Sequence, residues 1–116
     1  MKTCAAYTAG RVLACPVAVA DTFFTRFRGL MFRKELAPGE GLLLKHCNAI
    51  HCCFMAFPID VVYLDGNMRV VAVETVNPWC LGGYFPGTRH VLELEAGRAC
   101  HLTPGMLIEW KECTTL

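Results

Sequence analysis

A chain of 116 residues with eleven basic and ten acidic side chains carries a formal net charge of +1, and 54% of its residues are hydrophobic against 18% charged. A domain of this size buries roughly two-thirds of the surface its unfolded form exposes, which fits one domain over 1–116 and excludes wholesale disorder. No long-range field selects nucleic acid or anionic lipid, so a partner has to be recognised locally.

The N-terminal segment "MKTCAAYTAGRVLACPVAVA" contains "VLAC" ending at Cys15, the small-residue-then-cysteine pattern of a lipoprotein cleavage site. Thr8, Gly10 and Arg11 interrupt the apolar run of about 7–15 residues that such a leader needs. Nothing approaches the roughly eighteen consecutive apolar residues of a membrane span, so the sequence predicts a soluble, cytoplasmic molecule without membrane contact. Of the cysteines (4, 15, 47, 52, 53, 80, 100 and 113), Cys4, Cys15 and Cys100 sit beside alanine, and Cys52 and Cys53 are neighbours in an apolar run. They read as free thiols used as small buried hydrophobes rather than as a disulfide framework.

In chain order, "RVLACPVAVA" (11–20) predicts a first strand, with Pro16 marking an edge or a bulge. Asp21 stands as the N-cap of a short helix through "TFFTRFR", which Gly29 ends. The polar turn "APGEG" leads into "LLLKHC", and a further strand starts near Phe57. "FPIDVVYL" and "MRVVAVETV" flank "DGN", a hairpin whose Asp-Gly connection supplies positive backbone angles. Alternation puts Ile59, Val61 and Tyr63 on one face and Asp60, Val62 and Leu64 on the other; Val71 and Val73 oppose Val70, Ala72 and Val76. Both faces are therefore covered. "NPWCLGGYFPGTRH" (77–90) is a long loop, suited either to binding or to capping the core with Trp79, Tyr84 and Phe85. In "VLELEAG", Leu92 and Leu94 are expected to face in and Glu93 and Glu95 to face water. A last turn and strand follow. The sum is an α+β fold, mainly antiparallel, with a small, partly open barrel-like sheet and one or two short helices.

The central run "HCNAIHCCFMAFPIDVVYLD" (46–65) concentrates the candidate chemistry. Its His and Cys residues lack the paired spacing of a structural zinc site, so no metal or other cofactor is expected. Cys47 and His51 are four apart: on a helical turn they meet and can form an activated thiolate pair, whereas on a strand they lie roughly 13 Å apart. Asp60, set among apolar neighbours, requires a partner, and Arg28 is the predicted one; alternatively Asp60 orients His51. The stretch "TRFRGLMFRK" interleaves Arg26, Arg28, Arg33 and Lys34 with Phe27 and Phe32. A short amphipathic helix explains it as well as phosphate contacts would, and with the charge near zero nucleic acid is not expected.

"RFRGLMFRKEL", "GEGLLLKHC", "IHCCFMAFPIDVVYLD" and "RHVLELEAG", in that order over about residues 19–108, resemble the prokaryotic family catalogued as domain of unknown function 192. The resemblance implies a compact, mostly β, barrel-like domain without an established activity. It places the family's motif on Arg28, Gly29, Leu30 and Met31; on Gly39, Glu40 and Gly41; on Cys47, Ile50, His51, Met55 and Asp60; and on Glu93 and Gly97. This chain departs from it at Cys52 and Cys53, where relatives tend to read Thr-Phe, and at Gly105-Met106, where they usually read Gly-Asp. Relatives are often preceded by an export leader, and none is recognised here. The expected function is a non-catalytic binding module that offers Arg28, His51, Met55, Trp79 and the 77–90 loop to a small molecule or a protein segment. The alternative is a cysteine and histidine dependent enzyme, a hydrolase or thiol transferase, with Cys47 as nucleophile, His51 as base and Asp60 as orienter.

Overall fold

The computed structural model describes residues 2–22, 30, 33, 35–50 and 55–112. Its strands are β1 (Thr3–Thr8), β2 (Arg11–Ala20), β3 (Gly41–Leu44), β4 (Ile59–Leu64), β5 (Val70–Val76), β6 (His90–Glu95) and β7 (Glu109–Glu112). They form one seven-stranded sheet in the order β5-β4-β6-β3-β2-β1-β7. The sheet is mixed: β2 and β3 run parallel, with Val17 opposite Gly41 and Ala20 opposite Leu44, and the other pairs are antiparallel. It is not closed, although residues before β7 reach the start of β5 through Val70 N–H to the Met106 carbonyl and Ile108 N–H to the Met68 carbonyl. The short helix expected over "TFFTRFR" (22–28) lies, apart from Thr22, outside the described residues; among the described residues there is no helix.

The first strand occupies the expected residues, but it is internal, and Pro16 sits where the β1–β2 register slips between Cys4 opposite Val17 and Ala6 opposite Ala14. The bulge reading of that proline holds and the edge reading does not. β1 was not expected, because "TCAAYT" has only a weak alternation of small residues. Ala9 and Gly10, both at positive φ (51° and 76°), make the tight turn that a right-twisted hairpin needs.

Each face of the sheet buries its own cluster. Val62, Leu64, Leu92, Leu94, Leu43 and Val17 pack on the first face; Ile59, Val61, Tyr63, Leu42, Leu44 and Val91 pack on the second. The alternation of β4 is as expected. Along β5 it is not: Val70 lies on the first face with Val73, because the register shift between Tyr63 and Leu64 leaves Val71 as an extra residue. In the hairpin turn the positive φ falls on Met68 (61°), while the Asp65 carboxylate accepts from the N–H groups of Asn67 and Arg69. Glu93 also departs from expectation. It is 2% exposed, because β6 lies between β3 and β4 and both of its faces are covered.

Candidate binding surface and buried acids

The 77–90 loop leaves β5 at Val76, opposite Ile59, and enters β6 at His90, opposite Leu64, so it travels the length of β4. It is pinned at several points. Gly82 N–H donates to the Ile50 carbonyl at 3.1 Å, Gly83 N–H donates to Glu74 Oε2 at 2.7 Å, and the Phe85 ring lies 4.6 Å from the Tyr63 ring. Tyr63 Oη donates to the same Glu74 oxygen at 2.6 Å. A Cβ at Gly82 would collide with Tyr63 Oη and with Ile50, so only glycine lets the backbone come this close. Held in this way, the loop presents Trp79, Leu81 and Tyr84 outward, 62%, 76% and 76% exposed.

Where the loop rejoins the sheet, His46, Cys47, Asn48, Thr88 and Arg89 line a pocket of about 230 Å³. Cys47 N–H donates to the Arg89 carbonyl at 3.0 Å, which joins its walls. His46, at φ 56°, turns its N–H onto His90 Nδ1 at 3.1 Å. That contact makes Nδ1 the acceptor and leaves His90 neutral, with its proton on Nε2. Burial, then the charges of His46, Lys45 and Arg89, hold the His90 imidazole below its ordinary range, with Asp65 acting in the other direction. The sequence missed this cluster because its members lie 44 positions apart, at the ends of two strands.

Of the candidate site residues singled out in the sequence, Cys47, Asp60, Met55 and Trp79 are described. The Cys47 thiol donates to the Ala49 carbonyl at 2.9 Å and packs against the second-face cluster. Asp60 projects to the first face, where Oδ1 accepts from Thr75 Oγ1 at 2.7 Å and Oδ2 accepts from the N–H groups of Gly97 and Ala99, both at 3.0 Å. These bonds hold the turns that follow β6, and among the described residues they give Asp60 a hydroxyl and two backbone amides as partners. Arg28 and His51 lie outside the described residues. Met55 is buried in the second cluster whereas Trp79 is exposed. Arg33, from the basic stretch, forms an ion pair with Glu40 at 2.7 Å, and Glu40 Oε1 also accepts from Ala37 N–H. Cys4, Cys47, Cys80 and Cys100 carry unbridged thiols, and Cys80 and Cys100 are exposed rather than buried. Among the described residues no group of His, Cys, Asp and Glu is arranged to hold a metal ion, and no helix is long and apolar enough to cross a membrane.

On the second face Glu93 stands between Leu42 on β3 and Val61 on β4, and its Oε1 has no hydrogen-bond partner among the described residues. Burial pushes its carboxyl up to about 8, so near neutrality it carries a proton for most of the time.

These features define a class: an open, mixed β-sheet domain with a core on each face and a pinned crossover loop. The family model described as "Uncharacterized ACR", the domain of unknown function 192, matches residues 5–110, and the chain belongs to that family. Among its relatives is a UPF0127 protein of Thermococcus sibiricus, 36% identical over 116 residues, covering 90% of this chain and 71% of the relative. Another is a UPF0127 protein of Pyrococcus horikoshii, 38% identical over 104 residues, covering 81% and 86%. A crystal structure of a protein of unknown function from Novosphingobium aromaticivorans superposes with a TM-score of 0.80 at 22% identity, over 93% of this chain and 84% of that one. The family is one of uncharacterised function, and no catalytic role is shown.

Proposed function

We propose that the protein is a non-catalytic binding module that takes an extended protein segment bearing both apolar and acidic side chains. The observation that carries this reading is the outward display of Trp79, Leu81 and Tyr84 on a loop whose backbone is fixed from beneath. Large side chains on a preorganised backbone contribute contact area at little ordering cost, which is how anchor residues of interfaces work. The same loop ends at the pocket wall formed by Thr88 and Arg89, beside Lys45 and His46, so the local charge suits a carboxylate.

A direct test uses the Trp110→Phe variant, in which Trp79 is the remaining tryptophan. Its fluorescence is titrated with an extended peptide of alternating Leu and Glu, and with the same peptide carrying Lys in place of Glu. A saturable change with the acidic peptide, lost on Arg89→Glu, is the expected result. Equal responses to both peptides, or no saturable response to either, would refute the reading.

A further inference from the structure

The pocket lies where the chain leaves β3 and enters β6, and backbone bonds fix its walls. Cys47 N–H donates to the Arg89 carbonyl at 3.0 Å, Arg89 N–H donates to the Leu64 carbonyl at 2.7 Å, and His46 N–H donates to His90 Nδ1 at 3.1 Å. Of the groups that line it, the Cys47 thiol is spent on the Ala49 carbonyl and the Thr88 hydroxyl on the Phe85 carbonyl. The side chains of His46, Asn48 and Arg89 are not spent: among the described residues none of them has a hydrogen bond or an ion pair. Lys45 is in the same state, and it stands close enough for its charge, with those of His46 and Arg89, to act on His90. Asp65 is the acid that acts there, and its Oδ1 is engaged by the N–H groups of Asn67 and Arg69 in the hairpin turn. Lys45 and Arg89 therefore bring two permanent positive charges to one pocket, and no described carboxylate is paired with either.

We propose that this pocket recognises a phosphomonoester, carried as a phosphorylated side chain by the extended segment that docks on the 77–90 loop. The proposal rests on the binding reading above and names the group that the segment presents here. A carboxylate brings one charge and balances one of the two cations. A phosphomonoester near neutrality brings a charge of about −1.5 to −2 and three acceptor oxygens. The planar Arg89 guanidinium can take two of those oxygens in a fork, the Lys45 ammonium acts on the same group as a point charge, and the Asn48 amide and His46 imidazole offer donors to the third. A pocket of about 230 Å³ has room for one such group and the atoms that carry it, not for a run of phosphates, and the net charge of +1 supplies no field for nucleic acid. The position agrees with this, because Trp79, Leu81 and Tyr84 are displayed on the same loop that ends at Thr88 and Arg89. Apolar anchors and anion site thus lie along one stretch of chain.

The test is an NMR titration of the full chain, read on the backbone amides of Asn48 and Arg89, with three probes: the alternating Leu and Glu peptide, the same peptide with its central Glu replaced by phosphoserine, and phenyl phosphate alone. The phosphoserine peptide is expected to bind about tenfold more tightly than the Glu peptide, and phenyl phosphate more weakly than the phosphoserine peptide. Lys45→Gln keeps the Lys45 N–H to Ala20 carbonyl bond, so the fold is retained; it should erase the preference for phosphoserine while changing the affinity for the Glu peptide by less than about threefold. Saturable binding of both peptides with equal affinity would overturn the phosphate assignment and leave the binding reading standing. Saturable binding of the phosphoserine peptide with no response to the Glu peptide would do the reverse. No saturable response to the phosphoserine peptide, phenyl phosphate binding as tightly as that peptide, or a preference that survives Lys45→Gln would each overturn the proposal.

Discussion

Asp60 and Glu93 are both acids on central strands of one sheet, 3% and 2% exposed, yet they sit in opposite chemical circumstances. On the first face Asp60 spends each of its oxygens on donors from β5 and from the turns after β6. On the second face, Glu93 Oε1 finds no partner among the described residues and its proton is retained toward neutral pH. Burial alone therefore does not tell what an acid is for. A satisfied carboxylate acts as a structural clamp, whereas an unsatisfied carboxyl is a cost that calls for a function elsewhere.

The largest expected effect lies in pH. The folded-state value of Glu93 is raised from 4.5 to about 8, so its contribution to stability is complete below the unfolded value and is lost as pH climbs from about 4.5 toward 8. Over that interval the loss is on the order of 4 kcal/mol, read from denaturant unfolding at successive pH values, and Glu93→Leu should abolish it. Asp60→Ala sharpens the contrast from the other face. It strands the amides of Gly97 and Ala99 and should cost about 3 kcal/mol in the same measurement.

His90 should produce a smaller slope of opposite sign. Its folded-state value is lowered, so its stabilisation is present above the unfolded value of about 6.5 and fades as pH falls below it. His90→Gln should flatten that acid-side loss and cost about 1 kcal/mol at pH 7.5 by removing the imidazole that accepts from His46 N–H. The smallest effect belongs to the exposed loop. Trp79→Ala should change stability by less than about 0.5 kcal/mol while weakening the acidic-peptide titration, which separates display from packing.

Much of this architecture is legible in the sequence, and the failures have particular causes. The alternation of β4 and the position of the hairpin follow from its period-2 pattern and from Asp65-Gly66, and the structure places them there. The parallel β2–β3 pair could not be read, since register across a connection depends on packing rather than on local composition. The rule that alternating Glu faces water misplaced Glu93, because it holds for a half-exposed strand and β6 is covered on both sides. Val71 broke the pattern of β5 as a bulge that no local residue announces. The candidate site was the least legible part. Local clustering drew attention to Cys47, which does line the pocket, and to Asp60, which projects to the first face, but it could not show that the pocket joins His46 and Cys47 to Thr88 and Arg89 across distant positions.

The contrast between the two acids is tested most directly by comparing the unfolding free energy of Glu93→Leu with that of wild type at pH 8 and again at pH 4.5. The variant should be the more stable protein at pH 8, with an advantage that shrinks toward pH 4.5, where the wild-type acid holds its proton in both states for much of the population. A variant less stable than wild type at both pH values would mean that Glu93 clamps the fold as Asp60 does.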